Sequence, residues 1–267
     1  MGFYDVHAHL THPRFEGEQA GVLERARQAG ITTIISNGLN PADNEAVLAL
    51  AANEPLVKAA IGLYPVDAVL LEMRAAGVDY PREGPEQDGD TAVQYVRDNA
   101  HRAFAIGEIG LDGYWVPEPF WARQEQLFCQ LVEIAIAADK PIIIHTRKRE
   151  QRAFDLLVEL GAKRVDWHCF GGRVKLARRI AEHGHYLSIP ANARRSESFT
   201  RMLETLPRER VLLETDCPYL GEEPGARNEP AAVARTAAYA AEVWSVSSDA
   251  AAGQLATNFE KLFGAPP

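Results

Sequence analysis

The run Pro141-Ile142-Ile143-Ile144-His145 is followed by an amphipathic stretch over 148–160 and then by Arg164-Val165-Asp166-Trp167-His168. Two short apolar runs flanking a helical pattern make a strand–helix–strand unit, the connection that joins parallel strands. The same rhythm extends in both directions. Strand candidates at 3–6, 32–36, 57–61 and 103–107 come before it, and others at 185–189 and 210–214 come after. Helical patterns at 19–29, 41–53, 119–139, 173–183 and 194–206 lie between strands, and two more, 230–244 and 248–263, follow the last one. Eight buried strands alternating with helices predict an α/β fold, a single-domain (β/α)8 TIM barrel, with an open doubly wound sheet as the alternative. A length of 267 residues and an apolar fraction of 46% suit one such core. The stretch 76–90 breaks the rhythm. It carries Pro81, Gly84, Pro85 and Gly89 among many charges and reads as a polar surface insertion.

Composition narrows the function classes. A net charge of -9 excludes a global basic field for coating nucleic acid, while leaving room for a local basic site. Cys129, Cys169 and Cys217 are too scattered for a disulfide framework or a CxxC metal site. The first residues show neither a basic n-region nor an apolar h-region, and no apolar run reaches the roughly 20 residues of a membrane span. A reduced, cytoplasmic setting with no membrane partner is the expectation.

Chemistry gathers at one end of the expected barrel. Asp5-Val6-His7-Ala8-His9 closes the first strand, and a side-chain period of two predicts that Asp5, His7 and His9 share an inward face. Paired neutral imidazoles are good ligands for a borderline divalent ion. An HxH pair alone is weak evidence, and His183-Gly184-His185 supplies an internal control. That second pair lies where a helix ends and a strand begins, the non-catalytic side of a barrel, and reads as structural. The first pair has company. Glu108 follows strand 103–107, His145 and His168 end their strands, and Asp216 follows strand 210–214. All are at C-terminal strand ends, where barrel active sites form. Core polar residues satisfied by hydrogen bonds are the bland alternative. Six residues including two carboxylates suggest two ions, with Glu108 as the natural bridge because a carboxylate can give one oxygen to each.

These residues resemble the TatD-like metal-dependent deoxyribonucleases, within the amidohydrolase-like barrels. The matching stretches are 5–9, Ala105-Ile106-Gly107-Glu108-Ile109-Gly110-Leu111-Asp112, 141–147, His168-Cys169-Phe170-Gly171-Gly172, 213–220 and Arg227-Asn228-Glu229-Pro230. They run in family order across nearly the whole chain, and the helix around 124–137 fits as well. The resemblance implies a hydrolase acting on phosphodiester bonds of DNA, with His7 and His9 holding one ion beside Asp216. It further implies that Glu108 bridges and that His145 and His168 hold the other ion. Where the family usually shows Gly-x-His-Pro after the third strand, this chain has Gly62-Leu63-Tyr64-Pro65, which puts substrate preference in question.

The leading expectation is a two-metal exonuclease using Mg, Mn or Zn. Glu108 and Asp216 are its catalytic residues, with Asp216 orienting or deprotonating the attacking water. The alternatives are an ester hydrolase of the same fold, such as an aminoacyl-tRNA deacylase, a lactonase or amidohydrolase, and a metal-stabilised binding protein without turnover. Basic residues follow the same strand ends: Arg147, Lys148 and Arg149, then Arg173 and Lys175, Arg194 and Arg195, and Arg227. Arg147, Lys148, Arg173 and Arg227 are the expected phosphate contacts, with ordinary ion pairs as the alternative. Tyr64, Tyr114 and Phe170 are candidates to stack on bases of single-stranded or end-bound DNA, with packing as the alternative. Cys169 and Cys217, each following a candidate ligand, read as small packing residues. No obligate protein partner is evident.

Overall fold

The computed structural model describes residues 2–81 and 87–264. Eight parallel strands pair in sequence order: β1 (Phe3–Ala8), β2 (Ile31–Asn37), β3 (Val57–Ile61), β4 (Ala105–Asp112), β5 (Ile142–Arg147), β6 (Val165–Trp167), β7 (Tyr186–Ile189) and β8 (Val211–Leu213). The ring is drawn together at its C-terminal mouth. The Asp216 amide donates to the His7 carbonyl at 2.8 Å, and the His9 amide donates to the Cys217 carbonyl at 2.9 Å. The Asp5 carboxylate adds to this seam. It accepts from the Thr215 amide at 2.9 Å and from the Thr215 hydroxyl at 2.6 Å. No helix among the described residues is long and apolar enough to cross a membrane.

The strands are mostly buried on both faces, as parallel barrel strands are. Val6, Ile35, Ala60, Ala105, Ile143, Tyr186 and Leu212 form an interior layer. The last helix, α10 (Ser248–Phe263), seals its floor with Phe259, Leu262 and Phe263, and Phe259 stacks on Tyr4 with ring centroids 4.2 Å apart. The metal-type residues therefore sit above a dry apolar plug.

Around the strands lie α1 (Gln19–Gln28), α2 (Pro41–Asn53), α3 (Leu70–Ala75), α4 (Gly89–Asn99), α5 (Trp121–Ala137), α6 (Glu150–Glu159), α7 (Val174–His183), α8 (Glu197–Thr205) and α9 (Val233–Trp244), with α10 beneath. Local chemistry explains several starts. Asn40, Ser196 and Ser247 cap α2, α8 and α10 through their side-chain oxygens, and Pro41 pre-sets the first turn of α2.

Three expectations need correction. The insertion 76–90 is shorter than its composition suggests, because Asp88 caps α4 by accepting the Thr91 amide at 2.8 Å. Residues 82–86 of that stretch lie outside the described residues. Helices α3 and α4 form on either side of these residues, where the sequence pattern singles out no helix. Strand β4 does not stop at Gly107 but continues to Asp112, so Glu108 lies within it. Two glycines permit this close path: a Cβ on Gly62 would come within 2.5 Å of the Gly107–Glu108 backbone, and one on Gly110 would collide with the His145 carbonyl.

Strict side-chain alternation also fails along β1. Val6 lies in the interior layer, yet His7 and His9 both reach the site above it, and the β1–β2 register slips between Asp5 and Ala8. Asp5 turns to Thr215 rather than joining the histidines. A similar slip in β4 against β5, between Ile106 and Ile109, brings Glu108 inward above Ala105. An irregularity that re-aims side chains beside a site is a known use of such slips.

The control pair behaves as structure. His183 is exposed near the end of α7. Buried His185 accepts from the Trp167 indole at 3.2 Å and has its other ring nitrogen 2.9 Å from the Ala162 carbonyl. Removing that imidazole leaves a buried donor and a buried acceptor without partners, a cost of about 1–3 kcal/mol. His185→Ala should therefore lower the melting temperature yet bind the same number of ions per chain as wild type by elemental analysis. A loss of ions in a folded His185→Ala protein would contradict this placement.

Candidate metal centre

The structure brings the six candidate ligands, from β1, β4, β5, the end of β6 and the segment after β8, to one point inside the mouth. His7 Nε2 and His9 Nε2 are 3.2 Å apart. Both lie 3.5 Å from Glu108 Oε2, and they lie 3.7 and 3.4 Å from Asp216 Oδ1. The other Glu108 oxygen faces a different pair. His145 Nδ1 is 3.0 Å from Oε1, and His168 Nε2 is 3.8 Å from it. The Glu108 carboxylate thus divides the cluster, with one oxygen toward each set of imidazoles.

The donor set fits divalent ions. Ligands about 2.1 Å from a tetrahedral or octahedral centre stand about 3.0–3.4 Å from one another, close to the separations here. His7, His9 and Asp216 form one compact triad, and His7, Glu108 and His168 form another. The charge inventory agrees. Asp5, Glu108, Asp112, Asp166 and Glu214 are buried, and among the described residues no Lys or Arg pairs with any of them or with Asp216. Burial pushes Asp5 up to about 8 and Asp166 well above the carboxylate range, so both can stay neutral, while Glu108 and Asp216, held down by the histidines, are the anions a cation would meet.

Surrounding groups orient the ligands, as around most metal histidines. The His9 Nδ1 atom lies 3.0 Å from the Asn37 carbonyl. His145 Nε2 lies 3.2 Å from Asp112 Oδ2. His168 Nδ1 lies 3.2 Å from both Glu214 oxygens, and Glu214 also accepts from the Ser188 hydroxyl at 2.6 Å. Asp112 and Glu214 are site residues that the sequence pattern did not single out. A signal for Glu214 existed, since it precedes Asp216 by two residues just past a strand, as Asp166 precedes His168. Asp112 was hidden by ending β4 too early.

Protonation follows from burial set against these partners. Burial would push Glu108 up, but His145 and His7 outweigh it and hold the carboxylate well below its usual range. Asp216 is likewise held down by His9 against its burial. Burial lowers His7 to about 3, reinforced by the charge of His168. Burial also opposes charge on His168, yet Glu214 wins and lifts it to about 10.

The expected substrate contacts separate into two groups. Arg147 is exposed, its guanidinium 3.7 Å over the ring of Tyr114, which is itself 53% exposed. Lys148 and Arg173 are exposed as well. Tyr64 stands edge-on to His145, ring centroids 5.1 Å apart. By contrast, Arg227 is taken up by Glu18, Glu229 and the Arg14 carbonyl. Arg149 is buried between Glu125 and the Trp121 ring, and Arg194 pairs with Glu242. Phe170 is fully buried, its ring centroid 5.7 Å from that of Trp167, and offers no free face to a base. The expectations for Arg227 and Phe170 are corrected accordingly: ion pairing and core packing occupy them. Cys169 and Cys217 are free thiols whose burial holds them protonated, well above their ordinary range.

A parallel barrel with a mixed His–carboxylate cluster at its C-terminal mouth defines a metal-dependent hydrolase. A family described as TatD related DNase matches residues 4–264. The chain belongs to the TatD family. It is 29% identical over 271 residues to human deoxyribonuclease TATDN3, covering 98% of this chain and 95% of that one. It is 28% identical over 275 residues to the 3'-5' ssDNA/RNA exonuclease TatD of Erwinia tasmaniensis, covering 97% and 99%. Among solved structures, YJJV, the TatD homolog from Escherichia coli, superposes with a TM-score of 0.84 at 28% identity, covering 99% of this chain and 98% of that one.

Proposed function

We propose that this hydrolase cleaves phosphodiester bonds of DNA with two divalent ions, one on each side of Glu108, working from an unpaired strand end as an exonuclease. The observation that carries the reading is the division of the Glu108 carboxylate, Oε2 toward His7 and His9, Oε1 toward His145 and His168. Bound ions supply Lewis acidity toward the phosphate and lower the pKa of a coordinated water. The protein's own groups do the rest. Asp216, with its side chain 15% exposed, is the most open carboxylate of the cluster and is placed to orient the water and take its proton. Arg147, Lys148 and Arg173 face solvent where flanking phosphates would lie. Tyr114 and Trp115, 53% and 37% exposed, offer stacking faces to unpaired bases. The Asp112 carboxylate ties that aromatic loop to the centre, because Oδ1 accepts both the Tyr114 and Trp115 amides at 2.7 Å while Oδ2 meets His145. The name of the Erwinia relative supports an end-directed, single-stranded substrate.

The test is the salt dependence of KM on a single-stranded oligonucleotide, beside duplex DNA, an aminoacyl-tRNA and a lactone. Each phosphate held by the protein should contribute about 0.7 to the slope of log affinity against log salt. Arg147→Ala should raise KM and flatten that slope with kcat nearly intact. A flat wild-type line, or turnover of only the ester or lactone, would sink the nuclease reading.

A further inference from the structure

The basic residues around the mouth differ in how fully they are used. Arg149, Arg194, Arg227 and Arg235 are all neutralised, by Glu125, Glu242, Glu18 and Glu222 respectively. In one sector the pattern reverses. Arg173 and Lys175, at the start of α7, are exposed and make no side-chain hydrogen bond or ion pair among the described residues. The first turn of that helix carries no acid to offset them. Two cations opposing a helix dipole without a compensating carboxylate bring the fold no benefit.

These residues line a cleft of about 400 Å³ between the N-terminal turns of α6 and α7, together with Glu150, Gln151, Gly172 and Arg179. Arg179 is braced on the wall: it donates to the Gln151 side chain at 3.2 Å, and its guanidinium lies 5.6 Å from the Phe154 ring. Three cations thus face one carboxylate. Glu150 is partly occupied, since its Oε1 accepts the Lys148 amide at 2.9 Å. The cleft begins four residues along the chain from the candidate ligand His168. Gly172 ends the short turn that begins at His168, and buried Phe170 pins that turn, because a Cβ on Gly172 would come within 2.5 Å of the Phe170 ring. Along α7, Lys175 and Arg179 are one turn apart, about 6 Å, so the wall presents successive positive charges leading away from the mouth.

We propose that this cleft is a second phosphate-binding site, which holds the backbone of a single-stranded substrate beyond the nucleotide being released. The proposal rests on the phosphodiester reading above and adds a length requirement to it: long strands engage both mouth and cleft, while the smallest diesters engage the mouth alone. Lys and Arg suit this role because backbone phosphates are recognised by charge, independently of sequence.

The experiment compares wild type with the double variant Lys175→Glu/Arg179→Glu, both metal-loaded, on a single-stranded dodecamer and on bis(p-nitrophenyl) phosphate. The expected result is a rise in KM for the dodecamer of about tenfold or more, with a salt slope shallower by about 0.7 for each phosphate no longer held. Kinetics on the small diester should not change. Equal effects on both substrates, or none on the dodecamer, would overturn the proposal. Fluorescence anisotropy of the labelled dodecamer, with ions chelated to stop turnover, gives an independent measure of binding. If wild type cleaves neither diester, the phosphodiester reading falls by itself, and the cleft is judged on anisotropy: weaker binding by the variant supports it, equal binding overturns it.

Discussion

Glu108→Ala should abolish turnover, with kcat/KM falling by about a thousandfold or more, while the barrel still folds. A thousandfold loss corresponds to about 4 kcal/mol of transition-state stabilisation, within what two ions can supply to a phosphoryl centre. The reason lies in geometry. Among the described residues, Glu108 is the one carboxylate that places one oxygen near His7 and His9 and the other near His145. Its carboxylate meets those imidazoles and His168, not the helices, so truncation disturbs the centre more than the scaffold. Elemental analysis of the purified variant should show fewer ions per chain. Glu108→Gln keeps one oxygen donor and should fall between wild type and alanine in ion content. A Glu108→Ala protein that retained the full complement of ions and near-normal turnover would remove the bridging assignment and the two-ion reading with it.

Stripping the ions should lower the melting temperature by on the order of 10 °C. A ligand that binds only the native state adds about 2.7 kcal/mol at a hundred times its Kd, and two such sites add about 5 kcal/mol. For a domain of this size each kcal/mol moves the midpoint by roughly 2–4 °C. In the stripped site the buried Glu108 and Glu214 face His145 and His168 instead of an ion. Protons and ions compete there, and the sign follows from His168. In the ion-free protein Glu214 holds its pKa at about 10 against burial. A raised histidine stabilises the fold fully below its unfolded pKa and loses that contribution as pH climbs through the folded value. Ion-free stability from His168 is therefore whole below about pH 6.5 and is lost progressively as pH climbs toward 10. An ion that displaces this proton binds more weakly as pH falls. Melting curves with and without chelator should thus differ widely at pH 8 and less at pH 5.5. Coincident curves at pH 8 would mean that the cluster holds no ion of consequence.

Much of this was legible in the residues themselves. Apolar runs such as Ile142-Ile143-Ile144, each followed by a helical pattern, state a parallel α/β barrel, because a strand buried on both faces must be apolar throughout. The candidate ligands were legible for the related reason that His145 or His168 at the end of an apolar run is costly unless it has partners. His183 and His185 could be set aside by their place before a strand. What the tertiary structure decided is where side chains point and what already occupies them. Period-two alternation misaims Asp5 and the apolar run 103–107 ends β4 early, because the register slips in β1 and β4 depend on packing against β2 and β5, strands 20 or more residues away in sequence. The basic ring looked uniform along the chain. Only folding brought Glu18 to Arg227 and Glu242 to Arg194 while leaving Arg173 and Lys175 without an ion pair among the described residues. Charge neutralisation acts across space between residues far apart in sequence, and so does the burial of Phe170 against Trp167. Local pattern determines which elements form, whereas the contacts between elements determine which of their side chains remain free to meet a substrate.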